Sequence, residues 1–307
     1  MTALISTFIV NMVHSGTPII FALIGDMIGQ KSGHISLSVE GSMLMGCCLG
    51  YTACFYSNNL FLAVLVAIAG GALIGFLQAH LNIHFGANMF ALALALNYFA
   101  SSVTAYFGSP MISKSIKGFP TIAIPVLSKI PLIGQAFFHQ DILTYLSFVL
   151  PVIAWFVLYK TRLGLAIRSC GEVHQVAVAY GYNVKRIKYG AVMMAGVLAA
   201  IGGCQLACAY TKTWTADMSS GRGFIASALV ILCCWKPLRA YLAAYLFGAA
   251  QALGVLFQLL DVPIPTNIVN MMPYVITLIA LAFTTLNKSP VMPEELKKLG
   301  RPLELLD

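Results

Sequence analysis

His80 and His84 stand four residues apart in His80-Leu81-Asn82-Ile83-His84, the spacing at which two imidazoles on one helix face hold a zinc ion. Zinc hydrolysis of that pattern also needs a glutamate beside the first histidine. Leu81 occupies that place, so the pair reads as an interfacial turn. Cys204 and Cys208 share a helix face in the same way. They belong to a set of 8 cysteines, mostly inside apolar runs, with no Cys-x-x-Cys pair. Packing as small apolar side chains explains them better than a metal or disulfide site. The 10 acidic residues lie mostly at loop edges and form no nucleophile, base or metal cluster, so no catalytic residue is assigned.

The informative residues are polar ones within apolar stretches, because an ionisable or amide side chain in hydrocarbon is costly and marks a pathway or a helix contact. Asp26 and Glu40 flank the segment from Gly25 to Gly41, whose glycines and serines predict non-helical backbone. That break is either the wall of a solute pathway or an ordinary cytoplasmic turn. Asn97, beside Tyr98 in the middle of an apolar run, either ties helices together or touches a polar solute. Trp214, Asp217 and Arg222 fall in one short connection, where an aromatic and a cation can stack on and hydrogen-bond a heterocyclic solute. The plainer alternative is interface anchoring by Trp214 and an Arg222–Asp217 pair. Glu40, Asn97, Trp214 and Arg222 are therefore the candidate pathway residues.

The elements that must position them are set by composition. Of 307 residues, 59% are hydrophobic and 9% charged, and the mean hydropathy is +0.86, which excludes a soluble enzyme domain. Apolar runs at about 4–26, 35–56, 60–80, 86–107, 142–160, 188–210, 222–237, 239–260 and 268–286 are suited to crossing ~30 Å of hydrocarbon. The expected fold class is an all-α polytopic membrane protein of about nine transmembrane helices, with residues 1–286 as the membrane domain and 287–307 as a cytoplasmic tail. The first run lacks a basic segment before it and a small-residue cleavage site after it, so it is read as a retained span. Glycines four apart, as in Gly25–Gly29–Gly33, Gly46–Gly50 and Gly71–Gly75, predict close helix packing or hinges.

The net charge of +8 is spread over short connections and forms no nucleic-acid-binding face. The connection at about 160–188 holds Lys160, Arg162, Arg168, Lys185, Arg186 and Lys188 against Glu172 alone, which places it in the cytoplasm. Counting from there puts the N-terminus outside and the C-terminus in the cytoplasm, unless the short run 222–237 re-enters. Within this connection, Gly171, Glu172, Val173 and His174 open a short helix stopped by Gly181, a shape suited to docking on a separate motor. The chain has no GxxxxGK[ST] loop, so ATP and its magnesium belong to another polypeptide and no cofactor is expected here.

Several segments together resemble the permeases of ABC importers in the ribose and branched-chain amino-acid group, and within it the permeases of nucleoside importers that work with basic membrane lipoproteins. They are Ser32-Gly33 with Leu37 and Val39-Glu40-Gly41-Ser42-Met43-Leu44-Met45-Gly46, Thr161-Arg162-Leu163-Gly164 leading to Gly171-Glu172, Trp214 with Gly221-Arg222-Gly223-Phe224-Ile225-Ala226, and Met272-Pro273-Tyr274. The resemblance spans almost the full length. It implies a permease of the bacterial cytoplasmic membrane paired with a second homologous permease, two cytoplasmic ATPase subunits and an extracytoplasmic solute-binding lipoprotein. It also implies that Gly171 to Gly181 is the coupling helix and that Glu40 and Asn97 lie near the translocation path.

The sequence departs from the group at Gln30-Lys31, where Glu-Arg is usual, at Ser36-Leu37-Ser38, where Asn-Leu-Gly is usual, and at Asp26, often a glutamate. Riboflavin or a simple sugar is therefore an alternative solute to a nucleoside. A more distant alternative is an ion-coupled secondary transporter, which predicts midplane carboxylates or broken helices in two matching halves; the sequence displays neither.

Overall fold

The first and sixth of the expected spans form the buried centre of the bundle. The computed structural model describes residues 2–123, 137–260 and 265–287, with 293, 294 and 296. Almost all of the expected tail lies outside the described residues. Helix α1 (Thr2–Lys31) is followed by α2 (Val39–Ser57), α3 (Leu60–Ile83) and α4 (Met89–Gly108). A connection containing the antiparallel pair β1 (Ile122–Ala123) and β2 (His139–Gln140) leads to α5 (Ile142–Lys160). Then come α6 (Arg162–Glu172), α7 (His174–Ala179) and α8 (Val184–Gln205), which continues as a π-helical turn over Leu206–Thr211. Helices α9 (Arg222–Leu232), α10 (Ala240–Leu259) and α11 (Thr266–Asn287) complete the order.

Among the described residues, six helices are long and apolar enough to cross a membrane: α1, α3, α4, α5, α8 and α10. The other three expected spans differ. Helix α2 has 19 residues, but its glycines and Glu40 dilute its apolarity. Helix α11 carries only a shorter apolar stretch, Asn267–Ala282. Helix α9 has 11 residues and rises about 16 Å, roughly half of a ~30 Å core. The run 222–237 is thus not one spanning helix. It ends in the left-handed residues Cys234 and Trp235 before the short 3-10 turn Pro237–Arg239.

Helix α8, 83% buried over its apolar window, packs against α1, α2 and α3, whereas the corresponding figure for α4 is 28%. The expected glycine ladders account for this. A side chain at Gly71 would run into the Gly196 carbonyl of α8, and one at Gly46 into the Ala200 carbonyl. Gly25, Gly50 and Gly75 face the same helix. Small residues bring backbones together where lipid gives no hydrophobic drive for association.

Helix α1 also corrects an expectation. It continues unbroken to Lys31, through Gly25, Asp26 and Gly29, so the irregular backbone is confined to Ser32–Ser38, where Gly33 takes φ +83°. Gln78 of α3 holds that connection: its Oε1 accepts from Ser36 Oγ at 2.7 Å and from Ser38 Oγ, and its amide nitrogen lies 3.2 Å from His34 Nε2.

Burial pushes the His34 imidazole down to about 4, and the charge of Lys188 adds to the effect. An unfolded chain takes up this proton below its ordinary 6.5, whereas the folded chain refuses it until about 4. Stability is therefore full above that upper value and falls as the pH drops towards the lower one. Melting curves of the detergent-solubilised protein across this window should show the decline, and His34→Gln should flatten it.

Candidate functional site

Helix α9 begins deep among the other helices, and the route to its start defines the site. After α8 the chain leaves helical geometry at Lys212 (φ +56°) and runs beside α4. Trp214 is buried against Gly108 at the end of α4, with its ring 6.2 Å from that of Tyr51. Asp217 accepts a hydrogen bond from Ser101 Oγ at 2.7 Å, two helical turns earlier on α4. At Gly221 the chain reaches the start of α2. Residues 212–221 and α9 therefore form one discontinuous element, half loop and half helix.

The first N–H groups of a helix have no partner within it and carry the positive end of its dipole. Gly221, at φ +78°, provides no side-chain cap for α9. Glu40 of α2 supplies one. Its Oε1 accepts from Gly221 N at 2.9 Å and Ser219 Oγ at 2.5 Å, and its Oε2 accepts from Gly223 N at 2.6 Å. A Cβ on Gly223 would lie 2.5 Å from Glu40 Cα, so the carboxylate reaches these amides only because residue 223 is glycine. The Gly221-Arg222-Gly223 motif thus has a physical reading: the first glycine takes the left-handed turn and the second admits Glu40.

Asn97 performs the same service one helix earlier. From α4, its Oδ1 accepts from Gly41 N at 2.7 Å in the first turn of α2, and its Nδ2 donates to the Leu37 carbonyl at 2.9 Å. Asn97 sets the start of α2, and α2 through Glu40 sets the start of α9. Trp235, beyond the other end of α9, donates from Nε1 to Gln30 Oε1 at 2.8 Å, and Gln30 donates to Asp26 Oδ2 at 2.8 Å. Both ends of the half-helix are tied to polar groups of neighbouring helices.

Arg222, the first residue of α9, lines a polar cavity of about 340 Å³ with Tyr210, Ser220, Gln251, Gln258 and Tyr274. Its Nη2 donates to Gln251 Oε1 at 3.1 Å, and Tyr274 donates its hydroxyl to the Ser220 carbonyl at 2.5 Å. The Arg222–Asp217 pair considered from sequence is not formed, since Asp217 is held by Ser101. Of the four candidate pathway residues, Arg222 lines this cavity, Glu40 and Asn97 support the helix starts beside it, and Trp214 is buried against Gly108. Gln251, Gln258 and Tyr210 were not selected from sequence. The cost of a polar residue within an apolar run, which singled out Asn97, applies equally to Gln251 and Gln258.

The basic connection at about 160–188 differs from the single helix expected. Helix α6 ends at Glu172, Val173 is extended (φ −140°), and α7 covers only His174–Ala179 before Gly181 closes it at φ +78°. A side chain at Gly171 would meet the Lys31 carbonyl, so α6 rests on the end of α1. Glu172, Val173, Val176, Val178 and Tyr180 are exposed. His80 and His84 stack 5.3 Å apart near the end of α3, and His80 Nδ1 lies 3.0 Å from the Tyr189 hydroxyl. Among the described residues no group of three or more potential ligands is placed to hold a metal.

Comparison with known proteins agrees with this architecture. Residues 8–281 match the family described as branched-chain amino acid transport system, permease component. A guanosine ABC transporter permease protein of Bacillus subtilis is 33% identical, covering 86% of this chain and 87% of its own length. A nucleoside ABC transporter permease protein of Lactococcus lactis is 33% identical, covering 89% and 90%. A putative glucose ABC transporter permease protein of Haloferax volcanii is 31% identical, covering 91% and 92%. With a match over nearly its whole length and helices built to lie in a bilayer, the chain belongs to this permease family: it is a multi-pass protein of the cytoplasmic membrane, and a transport subunit rather than an enzyme.

Proposed function

We propose that this chain is the membrane-spanning subunit of an ATP-driven ABC importer and carries a nucleoside-like solute. The observation that carries the reading is the full-length similarity to two nucleoside permeases. The cavity chemistry agrees with it. Two glutamine amides, two tyrosines and Arg222 suit a heterocycle bearing hydroxyl groups. The helix-start amides that would otherwise attract an anionic solute are occupied by Glu40, which favours an uncharged one. A simple sugar is the second reading, supported by the glucose-permease relative.

In this reading the chain crosses the membrane about nine times, the seventh crossing being the discontinuous element of 212–221 and α9. Irregular backbone at membrane depth is tolerated where protein or a water-filled cavity surrounds it, and the polar cavity beside Arg222 is of that kind. The N-terminus is extracytoplasmic and the C-terminus cytoplasmic, following the basic residues around α6 and α7. The exposed surface from Glu172 to Gly181 is the coupling contact for ATPase subunits, which bind ATP and magnesium. A second homologous permease and a solute-binding lipoprotein complete the assembly.

Proteoliposomes holding this assembly, given labelled guanosine, adenosine, glucose and riboflavin with and without internal ATP, test the proposal. ATP-dependent accumulation of a nucleoside is the expected result. ATP-dependent uptake of glucose alone would select the sugar reading, and uptake following an ion gradient without ATP would overturn the importer. Glu172→Arg is expected to abolish ATP-dependent uptake while the permease pair still assembles. Normal uptake by that variant would remove the coupling assignment.

A further inference from the structure

A second cavity, of about 500 Å³, lies between α1, α5, α6 and α8 and shares no lining residue with the one at Arg222. Every lining residue is apolar except Arg186. Ile153, Leu163 and Met194 line it and are exposed, so the cavity is a crevice opening sideways onto the surface where α5 also exposes Val149, Val152 and Phe156. In a bundle surrounded by hydrocarbon that surface faces lipid. The crevice follows α8 from Arg186 to Leu198, a rise of about 18 Å, close to the depth of one leaflet of a ~30 Å core.

Gly190 supplies an independent observation. Gly196, Gly202 and Gly203 of α8 face other backbones so closely that a Cβ would collide. At Gly190 a Cβ meets nothing within 4 Å, and its open side belongs to the crevice. Glycine in a helix interior is unfavourable unless something uses the space it leaves. Arg186 stands at the end of the crevice nearest the basic connection, with Lys185 and Lys188 beside it in sequence and Arg162 next to the lining residue Leu163. Its side chain makes no ion pair among the described residues.

We propose that this crevice holds one anionic phospholipid of the leaflet on the basic side, with an acyl chain between α5 and α8 over Gly190 and its phosphate on Arg186. The chain needs an apolar slot open to the bilayer, and the phosphate needs a cation at the slot's polar end; the crevice has both. The assignment is independent of which solute is carried.

Native mass spectrometry of the full chain extracted in mild detergent, followed by nanodiscs of phosphatidylglycerol or phosphatidylcholine, tests it. The wild type should retain phospholipid and prefer phosphatidylglycerol by about fivefold. Gly190→Leu and Met194→Trp, which fill the slot from two positions, should each lose the bound lipid and keep the wild-type elution profile. Arg186→Gln should retain a lipid but lose the preference for phosphatidylglycerol. A wild type that carries no lipid, or filled-slot variants that retain it, would overturn the proposal. So would efficient cross-linking of Met194→Cys to a second permease chain, which would make the crevice a protein interface.

Discussion

Replacing Glu40 with alanine is expected to destabilise the protein by about 3–5 kcal/mol and to abolish transport. The substitution removes the shared acceptor of three donors, and two of them are backbone N–H groups at the start of α9 with no other cap. Each buried N–H left without a partner costs about 1–3 kcal/mol, and loss of a negative charge at a helix start adds to that. Glu40→Gln keeps the volume and one acceptor oxygen. Its NH2 group must then face a donor, so it should fall between alanine and wild type. Thermal unfolding of the three proteins in one detergent reads the order, and an alanine variant that melts with the wild type would show that Glu40 does not hold α9.

The second large effect is expected at Gly71. A leucine there has no space, because the first carbon of its side chain would already overlap the Gly196 carbonyl and the Ala200 methyl. Helices α3 and α8 must separate, at a cost on the order of 3 kcal/mol, and α8 is the element against which α1 and α2 also pack. The folded, monodisperse fraction after extraction should drop severely. Gly190→Leu on the same α8, where nothing obstructs a side chain, is the matched control and should remain folded. Equal yields of Gly71→Leu and wild type would mean that the close approach of α3 and α8 is not needed.

The membrane character, most of the helices and the packing role of the spaced glycines were legible in the sequence, because apolar length and small-residue spacing are local properties. The end of α1 was less so. Gly25 and Gly29 looked like breaks, yet both lie within the helix, and in the sequence a glycine that admits a neighbour looks the same as one that ends a helix. The half-helix after Gly221 was hidden for a related reason. Residues 223–235 are apolar apart from Ser227, but Cys234 and Trp235 turn left-handed in a way no residue type announces. Glu40 and Asn97 stand out in the sequence as costly polar residues. Their partners were beyond reach, since Glu40 bonds to residues about 180 positions away. Gln251 and Gln258 were overlooked although the same reasoning covers them, and Tyr210 becomes informative only once α8 brings it to the cavity.

Two of the 3 tryptophans mark the ends of the discontinuous element: Trp214 near the start of its loop and Trp235 just after its helix. Trp235 donates its indole N–H to Gln30, whereas the buried indole of Trp214 lies against Gly108 and Tyr51. The protein therefore carries a natural fluorophore at each end of the segment, in electrostatically different settings. With Trp155 on α5 changed to phenylalanine, emission from single-tryptophan versions would report separately on the two ends during a transport cycle without any added label.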